Sequence, residues 1–408
     1  MSDPVQIDAM MIMLVGASVV AAVAIKSLFG RLELPALVGY MLAGILLRLA
    51  DNQWQFLSEP VMTAFRFMAD LGVVALLFKV GLESHPGALV AKLPRATVIW
   101  IGDVCLAAGI GFVAAFYLLG LGLVPSLVVA TALTATSVGV SVATWDARGA
   151  LNSDNGQLLV DVAELDDISG IALMALLFAV VPVLLTGDGA LWPLLASNAA
   201  LFVLKITFFV LLCLVFALYV ERHLTRLSAR LRQPPERMLV VLGIGFLIAS
   251  FAGWLGFSLA IGAMFAGLVF SRDPEAVKTE KSFQDVYAFV TPFFFISIGF
   301  NIDPDALTQA LQIGMVLTVA ALLGKLLGDG LPSWVLIGGS SAALIGASMI
   351  PRAEIAMVIM HQGQQLGPEV VPPSVYAGMV MVSGVTCLLA PLALNPLLKR
   401  WPQQENTS

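Results

Sequence analysis

Val160-Asp161-Val162-Ala163-Glu164-Leu165-Asp166-Asp167-Ile168-Ser169-Gly170 lies inside a run, about 157–186, long enough to cross a bilayer as a helix. Such a run should be apolar throughout, yet this one carries four carboxylates. An acid near the middle of a membrane helix costs roughly 2.5–3.5 kcal/mol on insertion scales. Asp166 and Asp167 fall near the tenth helical position, which at about 1.5 Å per residue is about 15 Å deep. Two adjacent acids at that depth read as an ion or proton site; the competing reading is a buried structural ion pair.

The whole chain shares that setting. Its 408 residues are 59% hydrophobic and 12% charged, with a mean hydropathy of +0.95. That composition defines an all-α, polytopic membrane protein. Net charge of −6 gives no signal for a nucleic-acid partner, and no resident cofactor is expected. Cys105, Cys213 and Cys387 sit singly in apolar runs and read as small core residues. Residues 1–9 contain Asp3 but no Lys or Arg, so the first apolar run is expected to stay as a membrane helix.

Thirteen apolar segments are expected, about 8–30, 35–50, 61–82, 96–120, 123–145, 157–186, 191–220, 236–254, 257–271, 285–301, 306–329, 333–361 and 372–398. Charge tests the count. Fifteen Lys and Arg fall at odd-numbered connections or after the last segment, from Lys26 and Arg31 to Lys399 and Arg400. The even connections hold only Arg48 and Arg66. By the positive-inside rule the N-terminus is outside and the C-terminus cytoplasmic.

Four cations remain inside apolar segments: Lys79, Lys205, Lys325 and Arg352. Lys79 is read as pairing with Glu83 or snorkelling, and Lys205 has no evident partner. Lys325 and Arg352 lie near helix-disrupting residues. In the fifth segment Thr134-Ala135-Thr136-Ser137-Val138-Gly139 sets hydroxyls and a glycine at mid-membrane. In the twelfth, Pro351-Arg352-Ala353-Glu354 places a proline there. Proline removes a backbone donor, and freed backbone groups at that depth survive only inside protein or along a cavity. The two breaks occupy equivalent places in two three-segment groups, four to six and eleven to thirteen. An offset of seven segments orients those groups oppositely, the pattern of inverted repeats with discontinuous helices crossing at the midplane.

These residues resemble the bacterial monovalent cation:proton antiporters of the second antiporter family, sodium/proton exchangers among them. The resemblance runs through Leu34-Pro35-Ala36-Leu37-Val38-Gly39-Tyr40, Leu71-Gly72-Val73 with Gly81-Leu82-Glu83, and Thr134-Ala135-Thr136-Ser137. It continues through Asp166-Asp167, Gly262-Ala263-Met264-Phe265-Ala266-Gly267, Pro292-Phe293-Phe294-Phe295 with Gly299, and Pro351-Arg352-Ala353-Glu354. Seven such stretches in family order, at matching depth, are specific together. The resemblance implies a homodimer in the bacterial inner (plasma) membrane, each protomer having a scaffold and a six-helix transport core. On that plan residues 1–95 and 191–305 are scaffold and linker, and 96–190 and 306–408 the core triplets, the last with a short cytoplasmic tail.

It also implies that Asp167 binds the cation and the proton in turn, with Asp166 and Thr136 as further cation ligands. Asp166 would pair with Lys325, as in electrogenic members. Ser137, Pro351, Arg352 and Glu354 would complete the broken-helix site. Two departures stand out. Ala353 replaces the usual glycine, and Glu164 stands where the family has an apolar residue. Glu164 lies three residues before Asp167, about 60° around the helix, and reads either as an acid of the inner access path or as a satisfied structural one. Asp161 reads as interfacial.

The function expected is exchange of a monovalent cation, sodium or lithium first, for protons. The alternatives are potassium/proton exchange, an ion-coupled symporter of related architecture, and an intramembrane aspartyl protease. A protease needs two carboxylates facing each other across two helices. Asp166 and Asp167 are adjacent on one helix, and Asp329, the other candidate acid, is expected near the inner end of its own.

Overall fold

A computed structural model describes residues 4–32, 34–83, 93–186, 204–220, 234–271 and 281–403. The described residues are overwhelmingly helical, and no strand occurs among them. In order the helices are α1 (Pro4–Arg31), α2 (Ala36–Trp54), α3 (Glu59–Glu83), α4 (Leu93–Val113, continued by a π turn to Leu118), α5 (Leu123–Thr134), α6 (Val138–Asp146) and α7 (Asp154–Thr186). Then follow α8 (Leu204–Val220), α9 (Pro234–Trp254), α10 (Leu259–Phe270), α11 (Lys281–Phe300), α12 (Leu307–Gly328), α13 (Gly330–Ile337), α14 (Gly339–Ser348), α15 (Glu354–Leu366) and α16 (Pro373–Arg400). Eight spans among the described residues are long and apolar enough to cross a membrane. The expected segment at 191–220 is described only from residue 204, and most of the expected cytoplasmic cations between 222 and 281 lie outside the described residues.

The described chain divides into two units. The first comprises Met1–Ala24, Leu46–Pro86 and Pro182–Ser297. Its tightest crossing is α3 on α10, and glycine makes it possible: a methyl on Gly81 would stand 2.1 Å from the Met264 carbonyl oxygen, and one on Gly267 equally close to that of Phe78. Where lipid is as apolar as leucine, close backbone approach of this kind is what holds helices together. Two interior lysines acquire partners here. Lys205 Nζ donates 3.0 Å to the Leu255 carbonyl where α9 ends. Lys79 lies 4.7 Å from the ring centroid of Tyr287; the side chain of Glu83, its expected partner, is outside the described set.

The second unit comprises Ile25–Ile45, Gly87–Val181 and Ile298–Ser408. Here α12 packs between α4 and α16. A methyl on Gly324 would meet Ala107 Cα at 3.0 Å, and one on Gly328 would meet Asp103 Cα at 2.8 Å. Trp145, Leu159, Val162, Leu344, Ile345, Met349 and Leu394 form an apolar core joining α6, α7, α14 and α16. Two helices are interrupted: α5 gives way to α6 across Ala135–Ser137, and α14 to α15 across Met349–Ala353. The second interrupted span begins at residue 339, not 333. Gly338 (φ +92°) separates it from α13, a short helix of eight residues. Glycine tolerates that backbone conformation without strain.

Candidate functional site

The two interruptions meet. Ser137 N donates 2.8 Å to the Pro351 carbonyl oxygen, so the extended backbone of one break is hydrogen-bonded to that of the other. Trp145 Nε1 and Ser141 Oγ, both on α6, bond to Ser348 Oγ (2.8 Å) and Ser348 O (2.5 Å) at the end of α14. These contacts pin one half-helix across the other.

Breaking α5 at Thr134 exposes carbonyls at the negative end of a helix dipole. Two cations answer them. Lys325 Nζ donates 2.8 Å to Thr134 O. The Arg352 guanidinium donates to Thr134 O at 3.3 Å, to Ala135 O, and to Thr136 Oγ1 at 3.2 Å. Arg352 and Lys325 are both fully buried. Arg352 is fixed in turn: its N–H donates to Thr386 Oγ1 at 3.1 Å, and its carbonyl accepts from Cys387 Sγ. Glu354 opens α15, an acid in the first turn where the dipole favours negative charge.

The acids arrive on α7. Asp166 is fully buried; its Oδ2 accepts from Thr136 Oγ1 at 2.5 Å and from Lys325 Nζ at 2.8 Å. Ser169 Oγ donates to the Asp166 carbonyl and accepts from Trp100 Nε1 on α4. Asp167 differs: its Oδ1 is buried without a donor among the described residues, as are Asp166 Oδ1 and Ser137 Oγ. Asp166, Glu354, Lys325 and Glu164 are the charges that act on it. The structure therefore gathers Asp166, Asp167, Lys325, Thr136, Ser137, Pro351, Arg352 and Glu354 about one crossing.

A cavity of about 530 Å³ reaches the crossing at Glu354; Gly139, Val140, Thr144, Arg148 and Asn395 also line it, and Glu164 is not among its walls. Arg148 donates to Asn395 Oδ1 there through Nε (3.1 Å) and a terminal nitrogen (2.8 Å).

Sequence reasoning missed Asp103. It sits on α4, is fully buried, and ion-pairs with Lys325 Nζ, so that lysine bridges two aspartates where one was expected. The signal was present: Asp103 is a lone acid in an apolar run, costly for the same reason as Asp166. Asp329 closes α12, as expected, and is wholly buried there, next to the Gly328 backbone that packs on Asp103.

Paired half-helices crossing at buried acids are the architecture of a secondary transporter. The transmembrane sodium/hydrogen exchanger family model matches residues 17–400, and the chain belongs to that family. It is 26% identical to the high-affinity Na⁺/H⁺ antiporter NhaS3 of Synechocystis, over 83% of this chain and 72% of that one. It is 29% identical to the Na⁺/H⁺-K⁺ antiporter GerN of Bacillus cereus, over 90% of each. The structure of the sodium proton antiporter MjNhaP1 of Methanocaldococcus jannaschii superimposes with a TM-score of 0.68, covering 97% of both chains at 15% identity, a likeness of fold.

Proposed function

We propose that this chain exchanges a monovalent cation, sodium or lithium first, for protons across the bacterial plasma membrane, using Asp167 as the carboxylate both ions occupy in turn. One observation carries the reading: Asp167 offers a buried oxygen with no donor among the described residues, while Asp166 beside it is already committed to Thr136 and Lys325. An alkali cation needs a few hard oxygens. Asp167, the free Asp166 oxygen, the Thr136 and Ser137 hydroxyls and the carbonyls of the break are of that kind.

Burial in a low-dielectric site favours the neutral form of a carboxylic acid, so a proton competes with the cation for the same oxygen. If the site reorients only when one of the two is bound, coupled exchange follows without a covalent step. In the empty site Lys325 balances Asp166. A cation that draws on Asp166 displaces the lysine, and a second proton leaving that pair makes the exchange electrogenic. The cavity at Glu354 offers an approach from the side carrying Arg148, which the positive-inside rule makes cytoplasmic. The protein works in this reading as a homodimer.

Potassium is the second reading, favoured by the likeness to GerN, whose name includes it. Proton movement in proteoliposomes, on adding sodium, lithium and potassium in turn, tests both. Flux with sodium or lithium supports the first reading; flux with potassium alone replaces it. No flux with any of the three contradicts cation/proton exchange.

A further inference from the structure

The crossing holds more acid than the exchange just described uses. Asp103, Asp166 and Asp329 are fully buried, and among the described residues two cations, Lys325 and Arg352, are equally buried. With all five ionised the group carries one uncompensated negative charge before Asp167 is counted. An unpaired charge at such a place is strongly disfavoured, and the usual remedy is a proton.

Packing and unmet acceptors locate that proton. Asp329 follows Gly328, whose backbone packs directly on Asp103, and both acids are fully buried. A carboxylate only accepts, so two neighbouring carboxyl groups can bond to each other only if one carries a hydrogen. With both ionised, Asp103 Oδ1 and both Asp329 oxygens have no donor among the described residues. One proton removes that deficit and brings the group of five to neutrality. Glycine makes the approach possible: a methyl on Gly328 would lie 3.3 Å from Asp103 Oδ1 and 2.8 Å from its Cα.

We propose that Asp103 and Asp329 form a second proton-binding site, a carboxyl pair holding one proton between them beside the Asp166–Lys325 pair. The ligand is a proton because Asp103 Oδ2 is already taken by Lys325 Nζ, and a metal cation there would face that ammonium. The charged groups around the pair are Lys325 from its own helix, Asp166 from α7 and Arg352 from the break before α15. Lys325 touches the pair on one side and Asp166 on the other, so the shared proton sets how much negative charge the lysine must balance. Two carboxyl groups in contact titrate as a unit, and the proton belongs to both. The proposal rests on the exchange reading only in leaving Asp167 outside the pair.

Infrared spectroscopy of the full-length protein in lipid, grown with carboxyl-¹³C aspartate, reads this without transport. Near neutral pH and at saturating sodium, the native chain should show an isotope-shifted protonated-carboxyl band. Asp167→Asn should keep it, which separates it from any proton on the exchange carboxylate. Asp103→Asn and Asp329→Asn should each abolish it, because the asparagine amide donates to the remaining carboxylate and no proton is needed. A native chain with no protonated aspartate would overturn the proposal even if neither variant folds. So would a band that both variants leave unchanged, or one that Asp167→Asn removes.

Discussion

Lys325 and Arg352 donate to the same atom, the carbonyl oxygen of Thr134, at 2.8 and 3.3 Å, one from α12 and the other from the break before α15. That carbonyl ends α5, so two positive charges stand at the negative end of a half-helix, and the lysine also holds Asp103 and Asp166. Backbone break and acid cluster are thereby one electrostatic object: a change in the charge of either is felt by the other.

Arg352 should prove structural before it proves functional. Arg352→Met removes the donors to Ala135 O, Thr134 O and Thr136 Oγ1; Thr134 O keeps Lys325 and Thr136 keeps Asp166, but Ala135 O loses its donor. Each buried orphan costs about 1–3 kcal/mol. Thermal unfolding in detergent should show a marked fall in the midpoint, and Arg352→Lys, which can reach fewer acceptors, should lie between. An unchanged midpoint in Arg352→Met would mean that the break is held by other contacts.

Lys325→Gln should lower stability by about 3–5 kcal/mol, the cost of removing one partner from a buried ion pair. Wild-type exchange should respond to an imposed membrane potential, and the variant, where it still exchanges, should respond much less. Proton flux in proteoliposomes with the potential clamped or free tests this. With potassium as the test cation, the clamp needs something other than a potassium ionophore. Wild-type indifference to potential would leave a one-for-one exchanger; an equally voltage-sensitive variant would move the second proton away from Lys325.

Glu164→Gln separates the two readings of that acid. If it concentrates cations at the inner approach, a loss of about 1 kcal/mol of attraction corresponds to about a fivefold rise in apparent KM, with maximal rate preserved. A normal KM with reduced thermal stability would assign it a structural part instead.

Much of this site was legible because charge in an apolar run is costly and stands out. Asp166, Asp167, Lys325 and Arg352 were found that way, and Pro351 and the hydroxyl run at Thr134–Ser137 marked both breaks. The resemblance, not the spacing, joined Asp166 to Lys325. Asp103 escaped because no break or second acid lies near it in the chain; what makes it part of the site is Lys325, 222 residues away. Asp329 was read rightly at a helix end; its burial comes from the packing of α12 on α4 at Gly328 and Asp103, which no local pattern in the chain signals. Gly338 likewise ends one helix and begins another within what hydropathy reads as a single run.

Asp167 is the residue on which exchange turns most directly. Asp167→Asn keeps the shape of the side chain and removes the charge, so sodium-driven proton movement in proteoliposomes should fall to that of protein-free vesicles. The variant should still elute from size exclusion as the native protein does. Near-native exchange by the folded variant would contradict the assignment and move the exchange site to another acid of the cluster.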